Sequence, residues 1–428
     1  MQDYPTPPLT LDEARESLPA VDELRPVMDQ LLASSGSSGA DQWAGSTLLE
    51  TAGSRIVDPD VLRAALPQLV ADEQSHLRAV QELSGEVIDR LAAGERTGAA
   101  LALLKGAALE EGRDRAEKAE QYADSACRVL RDDGDPVVRA RALRRRGRAR
   151  RAVARYAEAE ADYLRAFDAS EAVGDVQGAA EAAIGTGNLL EDQGRWPEAQ
   201  AWYERALTVL SHDSEPRPER WHASLNLHVV LRAMGQLDES LPHLEAAEQV
   251  AAELADKSAE QFLENAWGQW FTANDDFERA RDRFWAALRV ASSARSRVTI
   301  RMNLAQALLG AGRRLEAAQE ARTAELEAIR GRVSGRLPEV YRLLGRLAAE
   351  EGNADAFVLF ERALETIRRD DLPAIEQART LEAYADAETL VGDATTAAEL
   401  RAKAEEVFAG LGVRAHPILD SQKGSTDS

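Results

Sequence analysis

Residues 187–207 read GNLLEDQGRWPEAQAWYERAL, and the second half of this stretch recurs along the chain at a nearly constant interval. From Ala199 it runs AQAWYERALTVL. The same alternation of small and large residues appears as AEADYLRAFDAS from Ala159, SLPHLEAAEQVA from Ser240 and ARDRFWAALRVA from Ala280. AAQEARTAELEA from Ala317, AFVLFERALETI from Ala356 and AAELRAKAEEVF from Ala397 complete the set. Successive copies start 40, 41, 40, 37, 39 and 41 residues apart. The eighth place in every copy is alanine: Ala166, Ala206, Ala247, Ala287, Ala324, Ala363 and Ala404. A fixed period of this size marks a stack of one supersecondary unit, no copy of which can bury its apolar face alone.

Within each copy, places 1, 4/5 and 8 are small or apolar, which is the spacing of a helix and not of a strand. Tyr163, Tyr203, Leu244, Phe284 and Phe360 supply bulk between the small residues. A turn-former stands about five residues before most copies: Gly194, Gly235, Asp275, Gly312, Gly352 and Gly392. Such residues tolerate the left-handed backbone that closes one helix before the next. Further upstream lies a small residue on the preceding helix, namely Gly147, Gly187, Gly268, Gly345, Ala305 or Ala385. Glycine inside a helix costs about 0.5–1 kcal/mol against alanine, so its recurrence points to close helix packing. Polar, proline-bearing links such as 131–136, 211–218, 331–338 and 368–373 separate the units. Each unit is therefore helix A, tight turn, helix B and a looser link.

This layout resembles the tetratricopeptide repeat, on the small residue in helix A, the turn glycine and the small–aromatic–alanine triplet in helix B. Its forty-residue spacing is similar to the longer-helix variety of kinesin light chains and bacterial peptide-sensing regulators. The resemblance implies an all-α fold: a right-handed α-solenoid of about seven to eight helix pairs with an N-terminal helical cap. Residues 97–130 read as one further, degenerate unit carrying Gly106, Gly112, Ala119, Ala123 and Ala126. The expected organisation is a tail, helix and flexible linker over 1–40, and a helical cap or module over 41–96. The repeat array follows over 97–411, and a polar tail over 412–428. In the first region Thr10-Leu11-Asp12-Glu13 forms a capping-box pattern, and SSGSSG (34–39) reads as a flexible break. Residues 41–95 are expected to hold two or three separate helices, serving either as a cap or as a dimerisation or effector module.

Lys and Arg number 52 against 74 Asp and Glu, a formal charge of −22. Such an acidic chain is not built for direct nucleic-acid or anionic-membrane binding, and no run of about eighteen apolar residues crosses a bilayer. One cysteine, Cys127, excludes an internal disulfide and fits a reducing cytoplasm, the expected location. It reads as a small buried helix residue. His222 and His228 are six apart, on different sides of one helix, and no HExxH, P-loop or GxSxG is present. No enzyme, cofactor or metal is expected.

The resemblance implies that the A helices line the inner face, and it projects particular side chains there. The first clear unit gives Arg141, Arg144, Arg145, Arg148 and Arg151, on one helix face in a stretch with nine arginines and no acid over 137–155. Later units give Asn188, Glu191 and Asp192; His222, Asn226 and Arg232; Phe262, Asn265 and Gln269; Asn303 and Gln306; then Arg342 and Arg346. Asparagine carries both donor and acceptor, so a row of them brackets peptide groups regardless of sequence. Arginine forks bind carboxylates or phosphates. The resemblance also implies a clamp for a terminal carboxylate in some members; Phe262 and Ala266 stand where it needs basic residues. Candidate ligand residues are thus Arg141, Arg144, Arg145, Arg148, Asn188, Asn226, Asn265, Asn303, Arg342 and Arg346. The alternative for the arginine face is pairing with Glu117, Glu120 and Asp124 on the preceding helix. The tryptophans Trp202, Trp267 and Trp285 fall at packing positions.

The expected function is a non-enzymatic scaffold that holds an extended peptide or partner tail, with arginines favouring acidic groups. A ligand-responsive sensor and a structural subunit of a larger complex are the alternatives, and the N-terminal module is a candidate homodimer surface.

Overall fold

The computed structural model describes residues 59–411, apart from 114, 131–133, 212–216, 332 and 371. The capping-box helix, the SSGSSG break, Trp43 and the C-terminal tail lie outside these residues. The described residues form seventeen α-helices and one 3-10 turn, with no strand among them. By compactness they divide into one unit ending at Gly178 and another beginning at Ala179.

The first unit opens with α1 (Pro59–Ala92), followed by the hairpins α2/α3 (Arg96–Glu111, Ala116–Leu130) and α4/α5 (Pro136–Ala152, Tyr156–Ala172). Separate helices were the expectation for 41–95, yet α1 is a single helix of 34 residues. Midway along α1 the polar stretch Asp72-Glu73-Gln74-Ser75 contains neither glycine nor proline to end it, and Glu and Gln are good helix formers. A buried His76–Glu110 contact of 3.1 Å ties α1 to α2. Val87, Leu103, Leu104 and Leu130 fill the apolar centre. Asp135 caps α4, accepting from the backbone N–H of Val137 and Val138 at 2.9 and 3.1 Å, with Pro136 in the first turn.

The second unit contains most of α6 (Val176–Asp192) and the helices after it. These are α7 (Trp196–Ser211), α8 (Pro218–Ala233), α9 (Leu237–Glu253), α10 (Lys257–Ala273), α11 (Phe277–Val290), α12 (Ala294–Gly310) and α13 (Arg314–Arg330). α14 (Leu337–Glu350), α15 (Asp355–Arg369), α16 (Ala374–Val391) and α17 (Ala394–Leu411) close it. Each even-numbered helix pairs with the next as an antiparallel hairpin. Consecutive A helices also touch, α8 with α10, α10 with α12 and α14 with α16, whereas consecutive B helices do not meet comparably among the described residues. The A helices of this unit therefore approach one another more closely than its B helices do.

What closes five of the hairpins among the described residues is a glycine on helix A against a ring on helix B. A Cβ added at Gly106 would sit 2.8 Å from the Tyr122 ring, at Gly147 3.2 Å from Tyr163, at Gly268 2.6 Å from Phe284 and at Gly345 2.8 Å from Phe360. Gly187 faces Tyr203 in the same way. The degenerate unit keeps the device, its ring at Tyr122 one place out of register. The hairpin α8/α9 breaks the rule: its glycine slot holds His228, fully buried, and the ring position holds Leu244.

Gly194, Gly235, Gly312 and Gly352 adopt the left-handed backbone at φ +67 to +78°, and Asp275 joins them at +59°. Gly392 does not; its φ of −121° is extended, so that hairpin turns without a left-handed residue. Ala154 and Ala255 take φ +59 and +50° although nothing in their residue type announces it. Of the tryptophans expected at packing positions, Trp285 is 42 % exposed, because α11 turns that side outward. Trp221, which the repeat pattern leaves unconstrained, is instead buried in the core beside Leu244, Ala247 and Leu263.

Candidate functional site

In the first unit the arginines of α4 split by helix face. Arg146 grips Asp162 on α5 with two hydrogen bonds, 2.8 and 2.7 Å, and donates to Asp124 on α3 at 2.7 Å. Arg150 donates to Asp162 at 2.9 Å and to Glu120 at 3.0 Å, and Arg155 reaches the same Glu120 at 2.7 Å. Asp162 is 1 % exposed. Burial disfavours the Arg146 charge, but the hydrogen bonds to Asp162 outweigh it and raise the pKa above the ordinary value. Burial pushes the neighbouring Cys127 thiol up to about 12. Glu120 and Asp124 thus serve Arg146 and Arg150, which the inward projection leaves out. The projected face differs: Arg141 is exposed with no ion pair among the described residues, and Arg144 is half-buried. Arg145 donates to Glu111 at 2.6 Å, and Arg148 lies 3.7 Å from the same carboxylate.

The asparagines of the second unit come together in twos. Asn226 on α8 donates through Nδ2 to Asn188 Oδ1 on α6 at 2.9 Å. Asn303 on α12 does the same to Asn265 Oδ1 on α10, also at 2.9 Å. The Tyr203 hydroxyl donates to Asn188 Oδ1 at 2.7 Å and lies 3.0 Å from Glu191 Oε2, which fixes the first pair from behind. All four asparagines are half-buried. Each pair leaves one amide nitrogen (Asn188 or Asn265) and one amide oxygen (Asn226 or Asn303) uncommitted among the described residues. A donor and an acceptor side by side complement the C=O and N–H of one peptide residue.

Between the two pairs, Arg232 on α8 reaches Gln269 on α10, where its Nη2 stands 3.5 Å from Oε1. Its Nε is buried without a hydrogen-bond partner, and no carboxylate lies within 4 Å of it among the described residues. Burial pulls the guanidinium below its ordinary pKa, with Glu191 opposing through space. One turn back, His228 is fully buried, its Nδ1 3.2 Å from the Ser240 carbonyl oxygen and its Nε2 without a partner. Burial and the Arg232 charge lower its pKa to about 4.

The last projected pair separates. Arg342 on α14 donates to Glu376 on α16 at 2.7 Å and to Thr380 at 3.1 Å, while Arg379 shares Glu376 at 3.1 Å. Burial works against that carboxylate's charge, but the two arginines hold its pKa below the usual value. Arg346 is half-buried and has no ion pair among the described residues. Arg232 was within reach of sequence reasoning, which projected it inward; only its lack of a counter-charge required coordinates.

The family model of the tetratricopeptide repeat matches residues 138–211, which cover hairpin α4/α5 and the next. Those residues are tetratricopeptide repeats. Among solved structures, the tetratricopeptide array is similar to the Rap conjugation gene regulator of the plasmid pLS20 in complex with the Phr* peptide. That likeness has 15 % identity and a TM-score of 0.51, over 80 % of this chain and 96 % of that one. A Rap protein complexed with competence and sporulation factor is similar at 15 % identity and TM-score 0.51, over 73 % of this chain and 90 % of that chain. At such identities the likeness is one of fold. No curated protein matches the chain. No helix among the described residues is long and apolar enough to cross a membrane.

Proposed function

We propose that this chain is a non-enzymatic cytoplasmic interaction protein whose second unit holds an extended peptide, or a partner's tail, across the inner A-helix face. The observation that carries this reading is the pairing of Asn188 with Asn226 and of Asn265 with Asn303. Adjacent helices pack about 8–10 Å apart and an extended chain advances about 3.3 Å per residue, so equivalent groups of the two pairs, two A-helix intervals apart, suit backbone groups roughly five to six residues apart. Main-chain anchoring leaves side chains free to set specificity elsewhere. The Arg141, Arg144, Arg145 and Arg148 face of the first unit is proposed as a separate surface for acidic partner segments, with Glu111 its resting counter-charge, and Arg346 as a further cation for the ligand. Asn188→Ala combined with Asn226→Ala is expected to weaken the best binder of a random peptide pool roughly tenfold, by polarisation. Unchanged affinity would remove the asparagine row from the account.

A sensor is the second reading, favoured by similar folds named as peptide complexes, one of them a gene regulator. It requires a scattering profile that changes at saturating peptide; an invariant profile leaves the scaffold. Dimerisation through the N-terminal module is tested by light scattering on the full chain.

A further inference from the structure

The geometry points to Arg232 as the receptor for a carboxylate carried by the ligand. This inference rests on the peptide reading of the asparagine row and names the chemistry that such a peptide must bring.

The first argument is the state of the guanidinium. Arg146, Arg150, Arg301 and Arg342 are similarly withdrawn from water, and each has a carboxylate oxygen at 3.0 Å or closer. Arg232 alone of this group has none, only a long contact to a neutral amide. Leaving a buried charge without its partner costs several kcal/mol, so a stack selected for stability alone would place an apolar side chain there. Positions held against stability are those that function requires.

Place is the second argument. Arg232 bridges α8 to α10, the interval that separates the two asparagine pairs. It lies six residues beyond Asn226 on the same helix, about 9 Å along the axis, a distance that a chain end turning down α8 or a long acidic side chain spans from a peptide crossing at the asparagines. A backbone anchored on the asparagines thus brings either its C-terminal carboxylate or an Asp or Glu side chain to Arg232. The fork has at least its Nε–H uncommitted, and a carboxylate accepts such a donor together with a neighbouring one. The third argument is charge. His228, which the Arg232 charge reaches, is neutral at physiological pH and adds no competing cation, and Glu191 acts on the guanidinium only through space.

Immobilised full-length protein is offered a random hexapeptide pool in three matched forms: free C-terminal acid without Asp or Glu, C-terminal amide with Asp or Glu, and C-terminal amide without either. Retained peptides are quantified by mass spectrometry for wild type, Arg232→Met and the Asn188→Ala/Asn226→Ala pair. Wild type is expected to enrich one carboxylate form roughly 10- to 100-fold over the acid-free amide, and the enriched form says which carboxylate is read. Arg232→Met should erase that preference while still retaining peptide. Equal retention of all three forms by wild type, abolished in the asparagine variant, overturns the role of Arg232 and leaves the peptide reading standing. Retention of nothing sinks the peptide reading, and two thermal measurements then judge Arg232 separately. Free Arg232→Met should unfold about 1–2 °C above wild type, and N-acetylglycine should raise the wild-type midpoint but not the variant's. A variant that unfolds at or below wild type, or responds equally to N-acetylglycine, makes Arg232 structural and overturns the proposal.

Discussion

Gly268→Ala sets two known effects against each other inside one hairpin. Alanine favours a helix interior over glycine by about 1 kcal/mol, and that gain is present on α10. The new methyl, however, would stand 2.6 and 2.7 Å from two carbons of the Phe284 ring, where carbons rest at about 3.5–4.0 Å. Phe284 is fully buried and cannot withdraw, so α10 and α11 must part by about 1 Å. Overpacking costs about 1–3 kcal/mol, and with a ring that is fully buried about 2–3 kcal/mol applies here, so the net is a loss of about 1–2 kcal/mol. Chemical denaturation followed by circular dichroism measures it as a lower midpoint at unchanged slope. The chain supplies its own control. The equivalent slot on α12 is Ala305, and the ring position of α13 is Ala321, so Ala305→Gly meets no ring and should lose only about 0.5–1 kcal/mol of helix propensity. In the double variant Gly268→Ala/Phe284→Ala the methyl has room, and the loss should fall short of the two single losses summed, by about 1 kcal/mol or more. A Gly268→Ala protein as stable as wild type, or additive losses in the double variant, would refute the claim that ring contact dictates glycine.

Three further outcomes follow from other features. Ala154→Gly and Ala255→Gly relieve left-handed backbone at φ +59 and +50°, and each should raise stability by up to about 1 kcal/mol in urea titration; a loss at either site would show that the turn carries no strain. His228, with its folded pKa lowered to about 4 against roughly 6.5 unfolded, contributes stability that is complete above about pH 6.5 and is lost as pH falls toward 4, up to about 3 kcal/mol; His228→Gln should flatten that slope between pH 7.5 and 5. Asp162→Asn withdraws the carboxylate shared by Arg146 and Arg150 and should cost about 3 kcal/mol or more, whereas a shift under 1 kcal/mol would mean that Asp124 and Glu120 suffice.

The repeat was legible because its physics is local. A glycine and a ring fifteen or sixteen places apart in the sequence report the same helix contact in five hairpins, and prolines at the links stand where Pro136 and Pro218 open helices. His228 in the glycine slot was not legible as such, since a sequence lists a histidine without saying that Leu244 leaves it space. The arginines of α4 show the same limit. Their spacing defines a face, but which acid each one meets depends on how α3 and α5 close around it, and the buried partners went to Arg146 and Arg150. The asparagines were readable as recurring on the A helices. That they would commit half their hydrogen-bonding capacity to one another needed the distance between consecutive A helices. Arg232 illustrates the converse: what marks it is a missing neighbour, and absence has no letter in a sequence.

The glycine-and-ring contact joins the two arms of a single hairpin, not one hairpin to the next. Cutting out or duplicating one whole repeat would leave every such lock with its own key, so repeat number is free to drift by recombination without a compensating second change. The asparagine pairs run the other way, across neighbouring repeats, and would be split by any odd excision. Selection on what the inner face holds, rather than on folding, would then fix how many repeats the molecule keeps.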